Sequence, residues 1–184
     1  MSHRLKIAAV LVTTCIAAAS EPKPYRAAPE PKEGNEIVFV FVGGTGCAFC
    51  NDADVKAAVV KAKNIVAERA DALKRPFAAI GVAIDSDFAK GLDYLKPLGP
   101  FDEVKLGRGF FNSAVLDLMA SGDDALVGIP QVLVYERTVT TKGPKYDVTP
   151  PKVIARIPGT GIPLWVQYGA KIDALEKKTP ATSP

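Results

Sequence analysis

Apolar and polar residues are not evenly mixed along this chain. Ile37-Val38-Phe39-Val40-Phe41-Val42 is an unbroken apolar run, which predicts a strand covered on both faces rather than one facing water. Gly43-Gly44-Thr45-Gly46 interrupts it. From about Ala48 to Leu73, Val55, Val59, Ala62, Ile65, Val66 and Ala70 recur at helical spacing, while Lys61, Lys63, Glu68 and Arg69 fall largely elsewhere. That pattern predicts a long helix with one buried face, ended by Pro76. Phe77 to Ile84 is a second buried strand. Strand, helix and strand in this order predict a βαβ unit, with the two strands parallel.

The remainder is patterned more weakly. Asp87 to Lys96 predicts a helix closed by Pro97 and Gly99, Phe101 to Leu106 a short strand, and Gly109 to Ala120 a helix. Ile129 to Tyr135 is a third clear strand. Thr138 to Pro151, with Gly143, Pro144, Pro150 and Pro151, reads as an extended hairpin loop. Lys152 to Ile157 predicts a fourth strand, stopped by Pro158-Gly159. Leu164, Tyr168, Ile172 and Leu175 share one face of a closing helix from Leu164 to Lys177.

The two ends of the chain differ from this middle. Arg4 and Lys6 precede thirteen uncharged residues, Ile7 to Ala19, followed by small residues suited to signal peptidase. Residues 1–20 are therefore expected to be an export signal, too short to span a membrane comfortably. Cys15 is preceded by Val12-Thr13-Thr14, a poor lipobox, so lipid anchoring there is not expected. Residues 21–35 hold Pro22, Pro24, Pro29 and Pro31 and are expected to be a flexible linker. Residues 178–184 are expected to be a disordered tail. A single domain over 36–177 is left between them.

Charge removes some classes of partner. The net charge is +3, and falls by two, to +1, if Arg4 and Lys6 leave with the signal. Such a balance predicts no strong grip on nucleic acid or on an anionic membrane. Protein thiols or disulfides are the expected partners. The expected location is an oxidising one, the periplasm or cell envelope of a bacterium.

Cys47-Ala48-Phe49-Cys50 is the chief chemical signal. A two-residue spacer at a helix start places the first thiol near unpaired N–H groups and the positive end of the helix dipole, which favour a thiolate. The second thiol lies one turn on, within reach for exchange. Zinc needs about four ligands, whereas only these two cysteines lie outside the signal and His3 lies within it. Haem attachment needs a histidine at position 51, where Asn51 stands, and copper delivery usually wants a histidine as well. No metal and no cofactor other than the disulfide is expected. An inert staple is the competing reading, although so short a loop constrains little of the unfolded chain.

With these residues in view, the sequence resembles the thioredoxin superfamily. The likeness rests on strand-loop-Cys47-Ala48-Phe49-Cys50-helix, on Gly128-Ile129-Pro130 opening the third strand, and on the closing strand, Pro158-Gly159 and helix. It implies an α/β three-layer fold with a mixed sheet of about four to five strands, helices on both faces and a helical insertion before the strand that follows Pro130. It implies that Cys47 is the attacking nucleophile and Cys50 the resolving thiol. It also implies that Ile129–Pro130 is cis, with Ile129 and Pro130 forming the substrate-side platform; Phe49 is a further candidate substrate contact. The chain departs from the family at three places. Gly46 replaces the usual tryptophan, Phe41 stands where a buried acid is common, and Ala48-Phe49 replaces Gly-Pro.

The expected function is an exported thiol–disulfide oxidoreductase acting on protein disulfides. The alternative is a non-catalytic thioredoxin-fold interaction module or accessory subunit of an envelope complex. A peroxide-reducing relative fits less well, for want of a Thr-x-x-Cys pattern. Asp52 and Asp54 are expected to complement the helix dipole, and Arg108 to be a solvated loop charge. Phe110, Phe111 and Trp165 are expected in the core.

Overall fold

The first apolar run becomes β1 (Gly34–Gly43) and the second β2 (Phe77–Ala83), and the two pair in parallel from Ile37–Phe77 to Gly43–Ala83. These coordinates are a computed structural model that describes residues 21–28, 30–119 and 128–176. The expected signal, Cys15 and the tail lie outside the described residues. β3 (Glu103–Leu106) adds to β2 in parallel, and β4 (Gln131–Lys142) lies antiparallel against the other side of β1.

β4 is long enough to serve two partners on its far side. Gln131 to Glu136 pair with β6 (Lys152–Pro158), and Val139 to Lys142 pair with β5 (Lys145–Val148). Much of the span read as a loop over 138–151 is thus a paired hairpin; the β-branched run Thr138-Val139-Thr140-Thr141 is what continues the strand. The sheet runs β3-β2-β1-β4-β5 with β6 also on β4. Its six described strands exceed the four to five expected by this added hairpin and the edge strand.

Both faces of the sheet are covered, which explains the unalternating strands. Ile37, Phe39 and Phe41 point to one side, toward the helices α2 (Ala53–Ala72), α3 (Phe88–Leu95) and α5 (Gly161–Gln167). Val38, Val40 and Val42 point to the other, toward α4 (Ser113–Leu118) and Met119. A parallel pair joined through a helix, then an antiparallel pair and a closing helix, is the thioredoxin-like arrangement, here in three layers. Among the described residues no helix is long and apolar enough to cross a membrane.

Four expectations change. The helix predicted from Ala48 is broken: α1 (Ala48–Asn51) ends at Asp52, whose ψ of 132° is extended and whose carboxylate caps α2 through Asp54 N–H and Val55 N–H. An aspartate that caps this way competes with helix continuation. The closing helix is also broken. After α5 the chain turns at Gly169 and Ala170, both at positive φ, and resumes as α6 (Asp173–Glu176). The Arg69 guanidinium holds the turn, donating to the Gly169 and Ala170 carbonyls at 2.6 and 2.5 Å. Leu164 and Tyr168 are consequently exposed while Ile172 and Leu175 are buried.

Lys63, expected off the buried face, is fully buried and donates to the Leu98 and Pro100 carbonyls at 2.7 and 2.8 Å. Phe110 and Phe111, expected in the core, are exposed because a 3-10 turn at Gly109–Phe111 interrupts the helix predicted there. Trp165 is partly buried against the core, its indole N–H on the Lys171 carbonyl at 2.9 Å. Residues 21–28 are extended, as their prolines dictate, and they contact the domain: the Tyr25 ring packs edge-on against Phe77 at 4.9 Å.

Candidate functional site

The end of β1 delivers the cysteines. After Gly43 the chain makes a turn closed by Cys47 N–H donating to the Gly44 carbonyl at 3.4 Å. Cys47 then caps α1, and Cys50 N–H points at its sulfur, 3.1 Å away. The two residues form a disulfide with Cα atoms 5.1 Å apart. Cys50 is wholly buried, whereas Cys47 keeps partial exposure. Between them Phe49 is 62% exposed.

The structure brings the resembling loop to the same place. Ile129–Pro130 is cis, and the Ile129 carbonyl oxygen lies 3.6 Å from Cys47 Sγ. Pro130 is buried there because residue 159 has no side chain: a Cβ on Gly159 would sit 2.7 Å from the Pro130 ring. The Pro158-Gly159 pair, read from sequence as a strand stop, is therefore also the seat of Pro130.

A ring of polar contacts surrounds the pair. The Asn51 amide donates to the carbonyls of Thr45 and Cys47 at 2.8 and 2.9 Å, and Lys56 donates to Asn51 Oδ1 at 3.2 Å. The Thr45 N–H lies 3.2 Å from both oxygens of Asp85, and the Thr45 hydroxyl donates to Asp85 as well. Tyr94, stacked on Phe41 at 6.3 Å, donates its hydroxyl to the Cys50 carbonyl at 3.0 Å. Burial, and then the charge of Asp85, push the Tyr94 hydroxyl well above the usual tyrosine range.

This geometry alters the electrostatics read from the sequence. The twenty-residue helix begins after Asp52, not at Cys47, and its N-terminal N–H groups are engaged by the Asp52 carboxylate. Cys47 caps only the four-residue α1. Its favourable partners are the Cys50 N–H and, once reduced, the Ile129 carbonyl as an acceptor for the thiol proton. Arg108 is exposed at positive φ in its loop. Among the described residues no three His, Cys, Asp or Glu side chains gather as a metal site would require.

Sequence reading missed Asp85, Tyr94, Asn51 and Lys56 as members of this region. Asp85 had one legible signal, its place just past the carboxyl end of a buried parallel strand, the end at which such folds assemble sites.

No family model matches the chain, and no curated protein matches it. Among solved structures the chain is similar to the solution structure of a thiol:disulfide interchange protein from Bacteroides sp.. The two share 16% sequence identity with a TM-score of 0.47, over 80% of this chain and 78% of that one. The thioredoxin-like fold assigned above rests on the strand order and the placement of the helices.

Proposed function

We propose that the protein is an exported thiol–disulfide oxidoreductase acting on protein disulfides, with Cys47 as nucleophile and Cys50 as resolving thiol. The observation that carries this reading is the asymmetry of the pair: a partly exposed Cys47 disulfide-bonded to a buried Cys50, beside the cis Ile129–Pro130 peptide. An inert staple needs no such difference in access between its two sulfurs.

The exchange runs in two displacements. In the reduced protein the Cys47 thiolate attacks one sulfur of a partner disulfide; that bond breaks, and the partner's other sulfur leaves as a thiolate. A mixed disulfide now joins Cys47 to the partner. Cys50 loses its proton to solvent, its thiolate attacks Cys47 Sγ, and the partner's second thiolate departs. The partner has gained two electrons, and after protonation two protons; the cysteine pair has lost them. The reverse order oxidises a partner dithiol. Ile129 offers backbone groups and Phe49 an exposed ring to the partner chain.

The test is equilibration of the purified full chain against glutathione, with trapped thiols located by peptide mass so that Cys15 is not counted. The expected result is ready exchange at a potential between roughly −270 and −120 mV. A disulfide that resists reduction below about −300 mV, or that exchanges only on unfolding, overturns the reading and favours the interaction module. Cys50→Ser is expected to accumulate a mixed disulfide at Cys47, and Cys47→Ser to form none.

A further inference from the structure

We infer that Asp85 sets the redox poise of the Cys47–Cys50 pair, by holding the loop before Cys47 and by placing a fixed negative charge beside it, so that the dithiol is a stronger reductant than the same site would be without that charge. This rests on the exchange reading above and gives it a direction.

Asp85 and Tyr94 close on the backbone of the pair from two sides. On one, the Asp85 carboxylate takes both protons that Thr45 can give, two residues before Cys47. Ile84 N–H donates to the Gly43 carbonyl at 2.9 Å, which continues the β1–β2 pairing and brings residue 85 alongside this loop. The fit depends on small residues: a Cβ on Gly44 would lie 3.0 Å from Ile84 and 3.2 Å from Asp85 Oδ2. On the other side stands Tyr94, whose hydroxyl is held on the Cys50 carbonyl. A Cβ on Gly43 would lie 2.6 Å from that hydroxyl oxygen. Gly43 and Gly44 thus let Tyr94 and Asp85 close on the backbone that carries the cysteines.

The physical consequence has a definite sign. A disulfide carries no charge, whereas the reduced pair gains one whenever Cys47 ionises to the thiolate that attacks. A nearby carboxylate raises the free energy of the reduced form only, which lowers the reduction potential. Thr45's N–H and O–H are committed to Asp85. Among the described residues Lys56 is the cation in this ring, held on Asn51 and over the Tyr94 ring at 5.5 Å. Thr45 stands two residues before Cys47, so its hydrogen bonds hold the Asp85 carboxylate against the loop that carries the attacking sulfur. Asp85 touches no reacting atom; it is a positioning residue.

The experiment compares glutathione equilibria of the full chain as wild type, D85N, D85S and T45S, with folding followed by circular dichroism. D85N keeps an oxygen acceptor for Thr45 but drops the charge. It is expected to shift the equilibrium toward the dithiol about three- to tenfold, tenfold being about 30 mV, while T45S matches wild type. D85S replaces D85N in the comparison if the amide variant fails to fold. The inference is overturned if the charge-free variant lies within about twofold of a wild type that exchanges normally, for then Asp85 is only structural. If the wild-type pair does not exchange, the oxidoreductase reading falls and this inference falls with it.

Discussion

At the end of the sheet where β1 delivers Cys47, the chain is held by a glycine-rich turn, by the Asn51 amide and Tyr94 hydroxyl on backbone carbonyls, and by the single carboxylate of Asp85 on Thr45. At the opposite end, where β1 begins, it is held by charge and aromatic packing. There Glu36 pairs with Arg137 and Arg75 with Glu136, each at 2.6 Å. Asp102 gathers the Tyr25 hydroxyl and the N–H groups of Ala28 and Ala79, at 2.5, 2.6 and 2.6 Å. Lys63 spans the turn at Leu98 and Pro100, its ammonium 4.6 Å from the Phe101 ring. The difference teaches how work is divided. The end that carries the disulfide keeps few side chains in the way, and the far end carries the ordered, partly buried polar network that fixes the fold.

Substitutions that separate stability from redox behaviour test this contrast. The largest effect is expected at Lys63. Lys63→Ala strips two carbonyls of their donor and leaves a void against Phe101, for a loss of about 2–4 kcal/mol in denaturant unfolding, with the glutathione equilibrium unchanged. Lys63 also predicts a pH profile. Burial lowers its pKa to about 8 from 10.5, with the charge of Asp102 opposing the shift. Between those values the unfolded chain binds the proton and the folded chain does not, so stability rises with pH across that window. Tyr135, raised to about 12 chiefly by burial, keeps its proton when folded, and so subtracts stability once pH passes 10. A profile measured from pH 7 to 10 that is equally steep in wild type and Lys63→Ala would refute this assignment.

Gly159→Ala comes next and crosses the boundary between the two ends. Its Cβ would press on the Pro130 ring, costing about 1–3 kcal/mol as overpacking. Because Pro130 sits beside Cys47, slower mixed-disulfide formation is expected as well, which a purely stabilising position would not show. The smallest effect is expected from Tyr25→Phe. Removing the hydroxyl bond to Asp102 costs about 1 kcal/mol and leaves exchange untouched, read by thermal unfolding and thiol trapping on the same samples.

Much of this architecture was legible because it is written locally. Six consecutive apolar residues fix β1 as doubly covered, helical spacing marks the buried face of α2, and the Cys-x-x-Cys spacing at a strand-to-helix junction marks the pair. What was misread has a physical cause too. Asp52 is a helix breaker only when its carboxylate is free to cap, and a lysine such as Lys63 looks exposed until a turn thirty-five residues away offers it two carbonyls. Phe110 and Phe111 read as core because period alone does not reveal a 3-10 turn.

Sequence alone was enough for the buried strands, the order of the crossover and the position of the disulfide, though not for the β4–β5 hairpin, since backbone hydrogen bonding and burial periodicity act over a few residues. Only the tertiary structure decided what stands around the sulfurs. Asp85 lies forty residues from Thr45 and Tyr94 forty-four from Cys50; Ile129, eighty-two from Cys47, is expected beside the pair through the family resemblance alone. Contacts at such separations are set by how whole elements pack, so they leave no period or spacing along the chain from which to read them.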